Sequence, residues 1–277
     1  MEELVLEQPQ QSEFGSPVGL SSDLSSDLSL DLPLGLPEGI TMPPTEDELP
    51  YDDGVPMESA KHRLQMELLI EPLDSHYVRT GRRDVAVHGN MGVYYSIEQA
   101  RKQNFRAPDF FVVLGANDVQ RLRKSWVIWQ EERAPNLVIE LLSESTKEAD
   151  RGIKKQIYQD AMRVPEYILH DVVNNEFEAF RLTPPHNGNP LPHYEAIPLT
   201  SARFQSRQLG LELVLWEGDF HAYWDTWLRW SDPATGEVLP TSAELARKEA
   251  KTAARERERG DRLAEKLRAL GINPDEA

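Results

Sequence analysis

Two stretches near the ends of the ordered part of the chain have the composition and spacing of helices. Met57–Val78 carries apolar residues on one face, which predicts an amphipathic helix that packs on a sheet. The apolar positions are Leu64, Leu68, Ile70 and Leu73. Thr241–Leu270 is rich in helix formers and in charges of both signs, and it predicts a long, charged C-terminal helix.

Thr146–Met162 is predicted to form a third helix, because apolar residues recur at every fourth position and Pro165 prevents continuation. Its predicted apolar face consists of Ile153, Ile157 and Ala161. Its predicted polar face consists of Asp150, Lys154 and Tyr158. One side of this helix should therefore pack on the core while the other presents polar groups.

Continuous or alternating apolar runs predict strands between these helices. Arg106–Leu114 and Asn136–Leu142 are almost uninterrupted apolar runs, which favours strands buried on both faces. Asp84–Tyr95 is predicted to contain strands separated by a turn at His88-Gly89-Asn90, and Glu166–Val172 and Phe177–Leu182 are predicted to be a strand pair joined by a tight turn at Asn174-Asn175. Leu209–Leu215 is a last predicted strand, whereas Gly218–Trp230 is predicted to be a helix or turn cluster with several tryptophans. The chain is thus predicted to be an α/β (α+β) protein, with a mixed sheet flanked by helices.

Residues 1–52 form an acidic segment rich in Ser, Leu and Pro, and we expect it to be disordered because it lacks the apolar content for a core. It is interpreted as a solvating tail or, alternatively, as a partner-binding segment or internal mimic of DNA charge. The predicted catalytic domain spans residues 53–232, and the C-terminal helix occupies 233–277. A coiled coil or homodimer through that helix is the alternative to a solvated single helix, since only Leu263, Leu267 and Leu270 fit a heptad seam.

The net charge of −17 is unevenly distributed. Residues 1–60 contain 14 of the 47 acidic residues and no Lys or Arg, so the remaining 33 acidic and 30 basic residues almost balance. A nearly neutral body is compatible with DNA binding. The chain has no cysteine, which excludes disulfides and thiolate metal sites. It also lacks an apolar stretch of the ~20 residues that a membrane span needs, so a soluble, cytoplasmic protein is predicted.

Two acidic residues lie at the predicted buried strands, and a lysine lies on the helix that follows. Asp109 begins the first apolar run, Glu140 lies inside the second, and Lys154 is on the following helix. A buried carboxylate is costly unless it is paired or binds a cation, and Mg²⁺ prefers carboxylate oxygens. The alternatives are a turn cap for Asp109, an ion pair of Glu140 with Arg106 or Arg151, and a solvated Lys154.

Four segments, taken together, resemble the Uma-type restriction endonuclease family. They are Pro108-Asp109, the NLVIELLSEST segment at Asn136–Thr146, the DRGIKKQIY segment at Asp150–Tyr158, and the VPEY segment at Val164–Tyr167. The resemblance covers about Met57–Trp230. It implies a restriction-endonuclease-like core of the PD-(D/E)XK type and a DNA endonuclease dependent on Mg²⁺ or Mn²⁺. It also implies metal ligands at Asp109, Glu140 and the backbone carbonyl of Leu141.

The sequence departs from the parent motif because Leu142 stands two residues after Glu140, where a lysine is usual. Lys154 is the predicted substitute and the third catalytic residue. Ser143, Asp150 and Tyr158 match family positions and are secondary candidates, although a helix cap, a first-turn acid and a packing aromatic explain them as well. The competing functions are a catalytically inactive nucleic-acid-binding module on the same fold and an interaction protein that acts through its acidic tail or C-terminal helix.

Overall fold

The computed structural model describes residues 42–51, 59–101, 105–186, 190–270 and 273. Its strands are β1 (Val85–His88), β2 (Val93–Tyr94), β3 (Phe110–Leu114), β4 (Trp126–Val127), β5 (Leu137–Leu142), β6 (Glu166–Asp171), β7 (Glu176–Thr183), β8 (His193–Ile197), β9 (Arg203–Gln205), β10 (Glu212–Phe220) and β11 (Tyr223–Ser231). Its helices are α1 (Ala60–Arg79), α2 (Ile97–Arg101), α3 (Ile128–Glu131), α4 (Lys147–Ala149), α5 (Lys155–Asp160) and α6 (Ser242–Ala269), and a π-helical turn (Asp150–Lys154) joins α4 to α5.

A six-stranded sheet in the order β1-β3-β5-β6-β7-β8 forms the centre of the fold. β5 and β6 are parallel, whereas the pairs β1–β3, β3–β5, β6–β7 and β7–β8 are antiparallel. Two smaller sheets accompany it, one in the order β11-β10-β9 and a parallel pair of β2 and β4. The predicted mixed α/β fold is therefore confirmed.

β3 and β5 contribute side chains to apolar clusters on both faces of the central sheet. Along β3, Phe110 and Val112 pack with α1 residues and the three-stranded sheet, while Phe111 and Val113 pack on the opposite face with residues of the α5 region. All six residues of β5 are buried. This burial on both faces explains the continuous apolar runs in the sequence, and it places Glu140 inside the protein.

The prediction for Gly218–Trp230 was wrong, because this segment forms a hairpin rather than a helix or turn cluster. β10 and β11 pair from Glu212↔Ser231 to Phe220↔Tyr223. His221 and Ala222 form the turn with φ angles of 49° and 66°. Hairpin turns of this left-handed kind are usually signalled by Asn or Gly, so the sequence carried no such signal here. Of the aromatic residues on β11, Trp227 and Trp230 are buried, whereas Tyr223 and Trp224 near the turn are exposed.

Strand pairing also differed from expectation in other places. β1 and β2, predicted as neighbours across a turn, pair instead with β3 and β4. β8 and β9 were not predicted as strands. The hairpin of β6 and β7 formed as predicted, with a turn that includes Asn175 at φ 56°. Helix α1 begins after Ser59, whose hydroxyl accepts a hydrogen bond from the His62 N–H.

The segment 43–51, which the sequence analysis assigned to the acidic tail, packs on the domain. Leu49 and Glu46 are buried. The backbone carbonyl of Pro44 accepts a hydrogen bond from the Trp129 indole, and that of Pro50 accepts one from the Tyr94 hydroxyl. The compact unit accordingly begins at Pro43. Of the rest of the predicted tail, residues 1–41 and 52 lie outside the described residues.

The predicted charged C-terminal helix is present as α6. It begins with a capping box in which Thr241 and Glu244 satisfy each other's backbone N–H groups. None of its residues is buried, and Leu263 and Leu270 are exposed. Within the described ranges, no helix has both the length and the apolar composition needed to span a membrane.

Candidate active site

Strand register brings Asp109 and Glu140 together. Phe110 of β3 pairs with Ile139 of β5 in the antiparallel ladder, so Asp109, directly before β3, lies opposite Glu140 of β5. The carboxylate of Asp109 accepts a hydrogen bond from the Leu141 N–H, with a distance of 2.7 Å between Oδ2 and N. Asp109 precedes β3 instead of lying within it, and it is only partly buried. The first two residues of the predicted site therefore meet.

Glu140 is fully buried in the middle of the sheet. The Tyr158 hydroxyl donates a hydrogen bond to Glu140 Oε1 at 2.6 Å, and Lys154 Nζ lies 3.3 Å from Glu140 Oε2. Glu140 thus pairs with Lys154, whereas Arg151 contacts Glu178. A carboxylate in such a position requires these partners, since an unpaired buried charge costs several kcal/mol.

The helical segment after β5 presents a different face to the core from the one predicted. Ile153 is 54% exposed and Ala161 is also exposed, whereas Ile157 is partly buried against the core as predicted. The buried positions are Asp150, Tyr158 and Met162. The predicted polar face is therefore the inner one, because Glu140 lies beneath it and needs a cation and a hydroxyl donor. The segment includes a π-helical turn, a feature often found at functional sites.

Asp150 is the third acid of this region. It is 1% exposed, and neither of its carboxylate oxygens has a hydrogen-bond partner. Lys154 Nζ lies 2.7 Å from Asp150 Oδ1, so the two residues form an ion pair without a well-aligned hydrogen bond. The ammonium of Lys154 consequently stands between Glu140 and Asp150. A buried carboxylate with unfilled acceptor positions can bind a further cation.

The surroundings of the site raise the pKa values of Glu140, Asp109 and Lys154 and so favour their protonated forms. Burial raises the pKa of Glu140 to about 8, with Lys154 opposing this effect and Asp109 and Asp150 reinforcing it. Burial likewise raises the pKa of Asp109. For Lys154, burial acts to lower the pKa, but the charges of Glu140 and Asp150 outweigh it and hold the pKa above its ordinary value. The site thus contains three acidic side chains and one ammonium group, which cannot balance the charge of three ionised carboxylates.

The donor set suits a hard divalent cation. Asp109, Glu140 and Asp150 supply oxygen ligands alone, which is the chemistry that Mg²⁺ and Mn²⁺ prefer. The raised pKa of Glu140 indicates a position where an additional cation would stabilise the ionised carboxylate. Lys154 partly fills this role in the structure, through its contacts to Glu140 and Asp150.

The other predicted residues occupy supporting positions. Ser143 Oγ accepts a hydrogen bond from the Thr146 N–H at 3.1 Å, as a helix-capping residue does. Leu142 is buried in the cluster that includes Tyr158, so no charged group replaces the usual lysine on that strand. Leu141 contributes its N–H to Asp109, and the role predicted for its carbonyl stays a prediction.

Tyr167 was missed as part of this region. Its ring lies 5.2 Å from that of Tyr158, and its hydroxyl donates a hydrogen bond to the backbone carbonyl of Asp150 at 2.8 Å. Tyr167 thereby supports both the aromatic partner of Glu140 and the turn that carries Asp150 and Lys154. Its place at the end of the VPEY segment was a signal that could have identified it.

Comparison with known proteins identifies one family. The model of a family named Uma2, described as "Putative restriction endonuclease", matches residues 36–213. This match includes every residue of the region described above. Among curated proteins, no relative matches the chain.

Proposed function

The chain belongs to the Uma2 restriction endonuclease family, and from this premise we propose that it is a metal-dependent DNA endonuclease that hydrolyses phosphodiester bonds. The family description supports a nuclease function at a coarse level. The observation that carries the finer proposal is the proximity of Asp109, Glu140 and Lys154. These residues come from three separate elements: Asp109 directly precedes β3, Glu140 lies inside β5, and Lys154 is on the helical segment after β5.

In this proposal Asp109, Glu140 and the backbone carbonyl of Leu141 hold Mg²⁺ or Mn²⁺. When bound, such an ion polarises a phosphoryl oxygen and lowers the pKa of a coordinated water. Asp150 is a further oxygen donor within the same region, since both of its carboxylate oxygens lack hydrogen-bond partners.

The residues of the chain orient this site. The Leu141 N–H fixes the Asp109 carboxylate, and the Tyr158 hydroxyl fixes one oxygen of Glu140. Burial, reinforced by Glu140, raises the pKa of Tyr158 well above its ordinary value. Tyr158 therefore stays protonated and acts as a hydrogen-bond donor throughout the neutral pH range.

Lys154 acts in the proposed reaction as a cation and not as a general base. Its pKa is held above the ordinary value by Glu140 and Asp150, so the ammonium keeps its proton at neutral pH. A fixed ammonium stabilises the negative charge that develops on phosphate oxygens during hydrolysis. If the Lys154 ammonium moved from Asp150 to a phosphate oxygen, the Asp150 carboxylate would become available to the metal ion.

A DNA substrate is compatible with the charge distribution. The 33 acidic and 30 basic residues that follow residue 60 almost balance, so the part of the chain that contains the site does not carry the strong negative charge of the whole chain. Phosphate affinity rests on local Lys and Arg side chains, and a divalent ion at the site would add to them.

The proposal is tested by incubating the purified protein with supercoiled plasmid and Mg²⁺ or Mn²⁺, with a chelator as the blank. We expect conversion to relaxed and linear forms that the chelator abolishes. Asp109→Asn should lower the rate by roughly 10²-fold or more, the scale for loss of one positioned group in catalysis. Glu144→Gln is the matched control, because the Glu144 side chain is 92% exposed and contacts Lys147 outside the site.

Two results would overturn the proposal. One is a folded wild-type protein that cleaves no DNA with either ion, which would favour a binding module that has lost catalysis. The other is cleavage by Asp109→Asn at the wild-type rate. A labelled RNA strand of the same sequence distinguishes the substrates, and cleavage of RNA alone would reject the DNA assignment.

A further inference from the structure

A group of His186, His193 and Glu195 lies at the connection between β7 and β8. One ligand atom from each of the three side chains lies within 4.8 Å of the others. His193 and Glu195 are on β8, an edge strand of the central sheet, and His186 follows β7. We propose that these three residues form a second metal site, selective for a transition-metal cation of the Zn²⁺ class and separate from the carboxylate centre.

Strand geometry supplies two of the three ligands. Residues two apart on a strand point to the same face, and His193 and Glu195 have this spacing on β8. The distance between His193 Nε2 and Glu195 Oε1 is 3.3 Å. Tetrahedral bonds of ~2.0–2.1 Å to zinc place neighbouring ligand atoms ~3.3 Å apart. This edge of a tetrahedral site is therefore already formed.

Backbone carbonyls orient both imidazole rings for ligation. His186 Nδ1 lies 3.3 Å from the carbonyl oxygen of Pro184, and His193 Nδ1 lies 3.4 Å from that of Leu191. A carbonyl oxygen can only accept, so the hydrogen-bonded tautomer of each neutral ring carries its proton on Nδ1. The lone pair is then on Nε2. Hydrogen bonds of this kind from the second ring nitrogen are a general feature of histidines that bind metals.

The third ligand is within reach of the other two. The two rings are 5.3 Å apart between centroids. Contraction from a separation of at most 4.8 Å to the tetrahedral spacing requires a movement of no more than about 1.5 Å, which a side-chain rotation can supply. His186 and Glu195 are exposed, which leaves room for such a rotation among the described residues.

The ligand chemistry differs from that of the carboxylate centre. Two imidazoles and one carboxylate suit Zn²⁺ and related ions, whereas sites made only of oxygens suit Mg²⁺ and Mn²⁺. β8 is also three strands away from β5 in the sheet, which corresponds to ~14 Å at the usual strand spacing. An ion bound here would clamp the connection between β7 and β8 instead of taking part in phosphodiester cleavage.

The experiment uses untagged full-length protein, because a histidine tag binds the same ions. Zn²⁺ is titrated calorimetrically in the presence of excess Mg²⁺, which competes at the carboxylate centre. Co²⁺ is then used as a spectroscopic probe, since low-coordinate Co²⁺ with nitrogen ligands absorbs visible light. We expect one Zn²⁺ per chain, a visible Co²⁺ spectrum, and retention of both in Asp109→Asn.

His193→Ala and Glu195→Gln should each weaken Zn²⁺ binding by roughly ten-fold or more, because even the loss of a residue behind a ligand typically has that effect. His221→Ala is the matched control, since His221 is an exposed histidine whose ring contacts Glu67 instead. Circular dichroism with a chelator present verifies that each variant is folded. Unchanged Zn²⁺ affinity in His193→Ala, or no stoichiometric binding by the wild type, would overturn the proposal.

Discussion

Glu140 and Glu166 lie on neighbouring parallel strands, β5 and β6, and both are fully buried. Glu166 has a full set of donors: the Ser206 hydroxyl at 2.5 Å, the Arg207 N–H at 2.9 Å and the Arg181 guanidinium at 3.2 Å. Glu140 has the Tyr158 hydroxyl and the more distant Lys154, which it shares with Asp150.

The difference between them separates a structural acid from a candidate catalytic one. All the groups that contact Glu166 are donors, and its charge is matched by one guanidinium. Near Glu140, two further carboxylates compete for one ammonium, and burial together with this competition raises the pKa of Glu140 to about 8. A buried acid with enough hydrogen-bond donors and a cationic partner of its own can serve the fold, whereas a buried acid that shares its cationic partner with other carboxylates is available to bind a further cation.

Replacing the cationic side chain beside each buried glutamate should produce the largest contrast between Glu140 and Glu166. Lys154→Ala is expected to lower metal-dependent cleavage by roughly 10²-fold or more, and because it leaves two buried acids unpaired it should also destabilise the fold by about 3 kcal/mol. Arg181→Ala should destabilise similarly while the rate per folded molecule is retained. Plasmid cleavage at a temperature where both variants are folded, together with chemical denaturation, measures the two effects.

The control for this pair is Lys147→Ala, because Lys147 contacts only the exposed Glu144 among the described ion pairs. Lys155 is less suitable, since its ammonium packs 3.3 Å from the centre of the Phe180 ring. Adding Leu142→Lys to Lys154→Ala returns a lysine to the parent position on the Glu140 side of β5, and partial recovery of the rate would support the substitution of one lysine for the other. Full activity of Lys154→Ala alone would exclude Lys154 from the mechanism.

Neutral replacement of each acid should affect stability unequally. Glu166→Gln puts an amide group against the donors of Ser206 and Arg207 and removes the charge opposite Arg181, so we expect a loss of about 2 kcal/mol in the free energy of unfolding. Glu140→Gln removes a carboxyl that competes with two others, and its loss should stay below about 1 kcal/mol at neutral pH without divalent ions. Equal losses in urea denaturation would show that the two acids do not differ as described.

The N-terminal segment contains another buried acid that resembles Glu166. Glu46 forms an ion pair with Arg121 and accepts a hydrogen bond from the Lys124 N–H, and Leu49 packs nearby with Tyr94. Deleting residues 1–42 should leave the melting temperature unchanged. Deleting residues 1–51 should cost about 2 kcal/mol, or roughly 5 °C, mainly through loss of the buried leucine. Equal melting temperatures in calorimetry would show that the segment contributes nothing.

A smaller effect is expected in the pH dependence of stability, where the raised pKa of Glu140 should be visible. The pKa of Glu140 in the folded protein, about 8, is above its ordinary value of 4.5, so the folded state binds the proton more tightly than the unfolded state. This contribution is fully present below about pH 4.5 and is lost as the pH rises through about 8. Without divalent ions, the melting temperature should therefore fall over this range by less in Glu140→Gln than in the wild type. Identical profiles of the wild type and Glu140→Gln would contradict the raised pKa of Glu140.

The local pattern predicted the elements around the site well. Apolar runs identified β3 and β5, the turn at Asn174-Asn175 identified the β6–β7 hairpin, and charge composition identified α6. These features depend on neighbours in sequence, so a single chain carries enough information for them. The β10–β11 hairpin was missed because His221 and Ala222 are not typical of a left-handed turn.

The sequence by itself indicated that Asp109, Glu140 and Lys154 could form one site, because continuous apolar runs mark buried strands and the segments that carry these residues resemble those of one family. Only the tertiary structure decided which face of that helix is inside. The spacing of Ile153, Ile157 and Ala161 predicted an apolar inner face, yet Asp150 and Tyr158 are the buried residues. The physical reason is that a fully buried Glu140 has to be hydrogen-bonded and paired, and no periodicity within the helix records a partner on another strand.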